Sequence, residues 1–413
     1  MIKKLNVLHI VAGDLTMGAA RGALWLHNGM LDHGINSHLL TNSILSKDYE
    51  NVTTISNNSK RKFENFIKNK LDKVIKLFYR KSADGIFSSG FIGTDIRKLE
   101  VYKNCDIINF HWINNGFINM NIFKKIDKPI FWTIRDMWPF TGGCHYAVNC
   151  DNYLRSCGNC KLLNTNKSFD ASRFIHKRKS KFYKKDIQII AISNWLADEA
   201  KKSSLLSGFN IKMIPNNYDS NIFFPVNKLQ SKEIMGIKTN KKIILTGSIN
   251  INAEWKGYKK FVEALDFLDS DKYMLCTFGK GDTTNLLKKG FEVISLGFLY
   301  DDISLRIAYS MADVFVAPSL LEAFGKTIVE AMGCGTPVVC FDATGPKDLV
   351  DHKVSGYKAK PYFSEDLAKG ITWVIDNINN KASRDNIISK ILNNYDKSVI
   401  AKSYIDLYKT ILN

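Results

Sequence analysis

Apolar residues fall along this chain in short runs separated by longer polar or helically spaced stretches. The first series is Val7 to Val11, Ser37 to Leu40, Asp106 to Phe110, Pro129 to Thr133 and Ile187 to Ile192. A second series begins at Lys241-Lys-Ile-Ile-Leu-Thr-Gly and continues through Tyr273 to Phe278, Glu292 to Leu296, Val314 to Ala317 and Pro337 to Phe341. Alternation of such runs with helical segments predicts βαβ units and parallel sheets, so the fold class is α/β with two open sheets. Between the series stands Met213-Ile-Pro-Asn-Asn-Tyr-Asp, where Pro215 and the Asn pair supply turn chemistry and no helical period continues. The expected domains are therefore residues 1–212 and 213–395. Residues 396–413 are expected to form a terminal helix, because Val399, Ile400, Tyr404, Leu407, Tyr408 and Ile411 recur at helical spacing and would pack one face, with the first domain as the candidate partner.

A length of 413 residues suits two such domains better than one core. With 45% hydrophobic and 24% charged residues and no low-complexity tract, the chain reads as globular rather than disordered or fibrous. No apolar run reaches the ~18 residues that a spanning helix requires. The start, Met1-Ile-Lys-Lys followed by Leu5 to Gly13, resembles a signal peptide, but Asn6 and His9 interrupt it and no clear cleavage site follows. It reads instead as a buried first strand. The expected location is the cytoplasm, with any membrane contact peripheral and on the inner face.

Charge adds a constraint. A formal net charge of +18 implies work beside something anionic: a membrane surface, a nucleic acid or phosphorylated small molecules. No helix-turn-helix, zinc-finger or RNA-binding signature accompanies it, so nucleic acid is not an expected partner. Residues 59–82 hold nine Lys or Arg against two acids, with Phe63, Phe66, Ile67, Leu71, Val74 and Phe78 at helical spacing. Such a basic amphipathic helix either lies on anionic lipid or packs its stripe against a core under a solvated charged face. A second basic run, Arg173 to Lys185, tilts the choice toward a membrane.

The chemistry concentrates after the strand Val314-Phe-Val-Ala, where Pro318-Ser-Leu-Leu-Glu-Ala-Phe-Gly leads into a helix starting near Lys326. Open α/β sheets bind ligands at the carboxyl ends of their strands. The free N–H groups and dipole of a helix start suit a diphosphate, and Gly325 would let phosphates approach the backbone. Glu322 and Glu330 stand eight residues apart, a span of up to ~12 Å if helical. Their carboxylates could accept hydrogen bonds from hydroxyls at opposite ends of one diphosphate ligand. Taken alone, two such glutamates would more simply decorate a surface helix.

The stretch Glu322-Ala-Phe-Gly-Lys-Thr-Ile-Val-Glu330, followed by Ala-Met-Gly-Cys-Gly-Thr-Pro-Val-Val, resembles the hallmark of glycosyltransferase family 4. The resemblance covers most of the chain. It implies a GT-B fold, two Rossmann-like domains facing across a cleft, and a retaining transfer from a nucleotide-sugar donor with no cofactor or dedicated divalent metal required for catalysis. It further implies that Glu322 contacts the donor sugar near the reacting carbon, that Glu330 binds the ribose, and that Phe324, Gly325, Lys326 and Thr327 offer backbone contacts to the diphosphate. Lys256, followed by Gly257 and preceded by a turn at Gly247 and Ser248, matches the basic residue that neutralises the leaving diphosphate. An arginine often found just upstream is missing from Ser248 to Glu254.

In the first half, Gly18-Ala-Ala-Arg-Gly22 resembles the family's glycine-containing loop near donor phosphates and acceptor, with Met17 where a glycine often stands. Gly18 is thereby assigned to the donor and Arg21 to the acceptor side. His111, ending the strand Ile107-Ile-Asn-Phe, matches a histidine that points into the cleft beside the donor sugar; a lone strand-end histidine is otherwise often structural. Thr133-Ile-Arg-Asp-Met-Trp-Pro-Phe-Thr-Gly-Gly resembles a subgroup acting in bacterial polysaccharide assembly, in which the position of Arg135 is usually histidine. Asp136 and His145 are expected to line the acceptor side. The resemblance and the basic surface together favour a glycan or lipid-linked glycan acceptor. Two other readings stay open: a nucleotide-sugar epimerase or phosphorylase on the same fold, and a non-catalytic basic membrane-surface protein.

Of eight cysteines, Cys105, Cys276, Cys334 and Cys340 sit in apolar patterns and read as small buried residues. Cys144, Cys150, Cys157 and Cys160 crowd into seventeen residues beside His145, and the last two form a C-x-x-C. That spacing is common in zinc sites, though the whole is not a standard finger. Structural zinc and ordinary reduced thiols in a packed loop are the two readings; disulfides do not suit a reducing cytoplasm.

Overall fold

The structure, a computed structural model, describes residues 5–45, 47–79, 82–83 and 85–412. Met1 to Lys4, Arg80 and Lys81, which entered the readings above, lie outside the described residues. Two compact units divide the chain: Met1–Asn217 with Ile400–Asn413, and Tyr218–Val399. The division thus falls five residues after the expected boundary, because Met213 ends a strand of the first unit and Pro215 to Asn217 stay with it.

The first unit holds seven parallel strands: β1 (Asn6–Val11), β2 (Asn36–Thr41), β3 (Val52–Thr54), β4 (Ile107–Phe110), β5 (Ile130–Ile134), β6 (Gln188–Ala191) and β7 (Ile211–Met213). Their order is β3-β2-β1-β4-β5-β6-β7. Central β4 and β5 are buried throughout, which is why they read as unbroken apolar runs. The edge strands β3 and β7 are short, and neither has a buried residue, so no apolar run marks them in the sequence. The terminal helix Lys397–Leu412 contributes Ile400, Ala401, Tyr404, Ile405, Leu407 and Tyr408 to a core with Val7, Leu26, Ile107 and Phe131. Asn109 donates to the Tyr408 hydroxyl at 2.7 Å, and the Tyr404 hydroxyl stands 3.1 Å from Thr133 Oγ1, so the buried polar atoms of this helix are satisfied within the unit.

The second unit holds six parallel strands: β8 (Lys242–Asn250), β9 (Tyr273–Lys280), β10 (Glu292–Ser295), β11 (Val314–Ala317), β12 (Val338–Phe341) and β13 (Gly356–Ala359), in the order β10-β9-β8-β11-β12-β13. Ile244, Leu275, Val314, Val316 and Val339 on the sheet pack with Phe261, Leu367, Ile371 and Val374 from covering helices. In both sheets the order reverses beside the first strand, between β1 and β4 and between β8 and β11. Loops leaving the carboxyl ends of such a strand pair diverge and open a crevice for ligands.

The basic segment forms a helix over Ser59–Leu77, capped by Asn58, whose side chain accepts from the Arg61 N–H at 3.0 Å. Its seating is the reverse of an ordinary amphipathic helix. The one buried residue in it is Asp72, whose Oδ1 accepts from the Ser89 N–H, the Ser89 hydroxyl and the Gly90 N–H at 3.1, 2.6 and 3.0 Å. Asn65, Lys68 and Lys76 also bond inward, to Asn42 and Ser56, Thr94, and the Gly85 carbonyl. The apolar residues face out: Phe63 is 66% exposed and Phe66 55%, with Ile67, Leu71, Leu77 and Phe78 exposed as well.

Candidate functional site

In the second unit two loops meet at the β8–β11 reversal. After β8 the chain makes a short 3-10 turn, Glu254–Lys256, and Gly257 follows at φ 66°. A Cβ at Gly257 would lie 1.9 Å from the Pro318 carbonyl oxygen, so only glycine permits this approach to the loop after β11. The Trp255 carbonyl accepts the N–H groups of Leu320 and Leu321 at 2.8 and 3.1 Å and ties the two loops together. The consequence is an ion pair: Lys256 Nζ stands 2.5 Å from Glu322 Oε2, with both side chains partly open to solvent.

Glu322 is fixed from behind. Its N–H donates to Thr344 Oγ1 at 3.3 Å, and its carbonyl accepts from the Gly345 N–H at 2.9 Å. Three residues on, Gly325 at φ 109° is the cap residue of the helix Lys326–Gly333 and makes no side-chain cap hydrogen bond. Phe324 is buried against Tyr395, while Lys326 and Thr327 are half-buried. Glu330 lies within that helix, 3% exposed, and accepts from the Tyr309 hydroxyl at 3.2 Å.

Gly247 and Ser248 were expected in a turn after the strand. They lie instead within β8, which runs on to Asn250 with an irregular register against β9 between Gly247 and Asn250. The extension is physical: the Phe278 ring packs where a side chain at 247 would stand. Ser248 Oγ is buried and has no hydrogen-bond partner among the described residues.

In the first unit Gly18 to Gly22 do not form a loop; they open the helix Gly18–Asp32, with Met17 in the cap position and no capping side chain. Gly18 takes φ 50° at its start, and the Arg21 guanidinium stacks over Trp25 at 4.5 Å.

His111 also departs from expectation. It is 2% exposed, and both ring nitrogens are engaged within the unit: Nε2 lies 2.9 Å from His9 Nδ1, and Nδ1 faces Arg135 Nε and Nη2 at 3.3 and 3.2 Å. Because the guanidinium can only donate, Nδ1 of His111 accepts, and the Nε2–H donates to His9. Burial, the Arg135 charge and His9 hold His111 well below its ordinary pKa, so it is neutral. Burial lowers Arg135 itself to about 10. Arg135 reaches Asn216 Oδ1 at 2.8 Å, and Gly22 makes the room, since a Cβ there would meet Arg135 Nη1 at 2.4 Å. His111 therefore belongs to a buried polar network rather than presenting a free ring nitrogen.

Asp136 and His145 are likewise turned inward. Asp136 Oδ2 accepts from Trp112 Nε1 at 2.8 Å and pairs with His145 Nδ1 at 2.6 Å, its Oδ1 accepts from the Trp138 N–H, and His145 Nε2 meets Ser88 Oγ at 3.0 Å. These hydrogen bonds hold the loop after β5 in shape. Asp136 and His145 are 7% and 2% exposed.

Tyr309, Thr344 with Gly345, His9 and Asn216 are not singled out as site or network residues by the sequence. Gly345-Pro346 was a readable turn signal, and Asn216 sat in the noted Pro-Asn-Asn; nothing local marks Tyr309 or His9.

Residues 227–391 match the family model for glycosyl transferases group 1. An uncharacterized glycosyltransferase of Methanocaldococcus jannaschii is 27% identical over 324 residues, covering 74% of this chain and 75% of that protein. The N,N'-diacetylbacillosaminyl-diphospho-undecaprenol alpha-1,3-N-acetylgalactosaminyltransferase of Campylobacter jejuni is 26% identical over 204 residues, 46% of this chain and 51% of that one. In fold, the chain superposes on HepE of Anabaena, solved in complex with UDP-glucose, at a TM-score of 0.66 and 15% identity over 98% of this chain and 100% of that one. With the site at the strand reversal, the ion pair and the matched domain in view, the chain is a glycosyltransferase of the GT-B fold whose second unit carries the group 1 glycosyl transferase domain.

Proposed function

We propose that the enzyme is a retaining transferase of glycosyltransferase family 4 that moves a sugar from a nucleotide diphosphate donor, UDP-linked by the analogy of HepE, to a lipid-linked or growing cell-surface glycan. The observation that carries this reading is the meeting of Lys256, Glu322 and the uncapped helix start at Gly325 where β8 and β11 part. Negative charge on the departing diphosphate would be met by the Lys256 ammonium and the helix N–H groups, which strengthen their hold as the glycosidic bond breaks. Before donor arrives, Lys256 rests on Glu322; the diphosphate would draw the ammonium away and release the Glu322 carboxylate toward the sugar. Glu330, oriented by Tyr309, would accept from the ribose hydroxyls. Acceptor recognition is assigned to the first unit, on the Arg21 side of the helix that follows β1 at the other strand reversal, with Gly18 at its start kept for the donor.

Retention means that the acceptor hydroxyl attacks from the face the nucleotide leaves, so neither glutamate need form a covalent intermediate. No divalent metal is needed for charge neutralisation on this scheme. The test is to supply a nucleotide sugar with and without a lipid-linked acceptor and determine the anomeric configuration of the product by NMR. Nucleotide release that requires acceptor, with retained configuration, is expected. Inversion, or release without acceptor, would overturn the reading in favour of another mechanism or an epimerase or phosphorylase.

The outward face of the helix Ser59–Leu77 supports a membrane-borne acceptor. Phe63, Phe66, Ile67 and Leu71 lie exposed among Lys60, Arg61, Lys62, Lys70 and Lys73, while polar Asn65, Lys68 and Asp72 hold the helix to the unit. Apolar side chains ringed by basic ones suit the interface of an anionic bilayer. A second basic helix, Ala171–Phe182, adjoins its far end, where the Ala171 N–H donates to the Tyr79 hydroxyl at 2.9 Å. On this reading the enzyme works at the inner face of the membrane.

A further inference from the structure

Cys144, Cys150, Cys157 and Cys160 all line one cavity of about 20 Å³, closed in by Phe87, Tyr153 and Ser172. All four are free thiols. That volume is room for one water-sized sphere. The fold goes to some length to bring the four together. Cys157 itself adopts φ 55°, Gly158 φ 91° and Asn159 φ 46°, so the C-x-x-C turns through three consecutive left-handed residues. A non-glycine residue held there is strained, and it persists only where surrounding structure imposes it.

Close packing sets the wall of this cavity at Gly142. Gly142 has no space for a side chain, since a Cβ would meet the Ser172 carbonyl oxygen at 2.3 Å.

A buried lysine adjoins this segment. Lys179 is fully buried, its Nζ 3.5 Å above the Trp138 ring, and it donates to the carbonyl oxygens of Trp138 and of Thr141, three residues before Cys144.

We propose that these four cysteines bind one zinc ion as a structural tetrathiolate site. Four S–H protons leave to solvent as four Zn–S bonds form, so the loaded site carries a net charge of −2. Among the described residues no group of three or more His, Cys, Asp or Glu already stands in metal-binding geometry. Loading therefore rotates the thiols into the cavity, to the ~2.3 Å of a Zn–S bond. The ion would fasten residues 144–160 to the loop after β5 that Asp136 and His145 shape, a role independent of how the sugar is transferred.

The test uses the full chain expressed in zinc-supplemented medium and purified under reducing conditions without chelator. Metal analysis is expected to find one zinc per chain, and the same analysis of the Cys157→Ser, Cys160→Ser double variant to find it lost. Because that variant could fail to fold, wild-type protein is also exchanged with cobalt(II). A tetrahedral tetrathiolate gives intense near-ultraviolet sulfur-to-cobalt charge-transfer absorption. Folded wild type that carries no zinc and gives no such bands would overturn the proposal, as would zinc retained undiminished in a folded double variant.

Discussion

Lys256 and Glu322, sixty-six residues apart in sequence, meet at 2.5 Å because Gly257 lets one loop press against the carbonyl of Pro318 in the other. Replacing Gly257 by alanine would set a Cβ 1.9 Å from that oxygen and force a backbone out of the left-handed region. The loops must part, so Gly257→Ala is expected to lower kcat/KM at least ~10-fold by misplacing Lys256. Steady-state kinetics with circular dichroism checks this; an active variant would show that the close approach is dispensable.

Lys256→Ala, in contrast, removes charge without disturbing the backbone. If the ammonium stabilises the leaving diphosphate mainly in the transition state, kcat should fall by ~10²–10³ with the melting temperature nearly unchanged. A rise in KM with kcat intact would instead mean that the lysine binds donor equally before and during reaction.

The buried histidines make stability depend on pH. His9 and His111 are held well below their ordinary value of 6.5, chiefly by burial, and His27 and His176 are lowered to about 4 for the same leading reason. Below 6.5 the unfolded chain takes up protons that the folded chain refuses. Their contribution is therefore fully present above that value and is lost as pH falls toward the folded values, by up to about 1.4 kcal/mol per pH unit for each histidine. Urea midpoints measured from about pH 7.5 down to about pH 5 should fall; a flat profile would contradict the neutral, buried assignment.

Gly22→Ala tests the network from its other side. A Cβ 2.4 Å from Arg135 Nη1 and 2.8 Å from Asn216 Oδ1 would break the bond between them, leaving a buried guanidinium short of a partner. A loss of ~1–3 kcal/mol in unfolding free energy is expected, measurable by denaturant titration.

The outward apolar face predicts lipid binding. Phe63→Ser with Phe66→Ser should leave the fold intact, since both rings are exposed. Binding to anionic vesicles should weaken by at least ~10-fold, as two lost phenyl rings exceed the 1.4 kcal/mol that a factor of ten represents. Equal binding by wild type and variant in a sedimentation assay would remove this helix from the interface.

Much of this molecule is legible in its sequence, and the exceptions have physical reasons. Central strands such as Ile107–Phe110 and Val314–Ala317 announce themselves because both their faces are buried. Edge strands Val52–Thr54 and Ile211–Met213 are short and lack buried residues, so nothing in their pattern distinguishes them from loops. Glu322 and Glu330 could be found because they share one loop and helix. The Arg135–His111–His9 chain assembles a residue within β1 with the residues just after β4 and β5, and Asn216 joins it from the end of the unit's first segment; no local spacing encodes such a meeting. The helix Ser59–Leu77 shows a different limit, for periodicity finds an apolar face but does not say which way it is turned.

The measurement that tests the central claim most directly is thermal stability of wild type and Glu330→Ala in a panel of nucleotide sugars, since a bound donor raises apparent stability by mass action. The account predicts that one donor, expected to be UDP-linked, stabilises the wild type and leaves the variant, deprived of its ribose-binding carboxylate, unmoved. Equal stabilisation of both proteins, or none of the wild type by any donor, would contradict it.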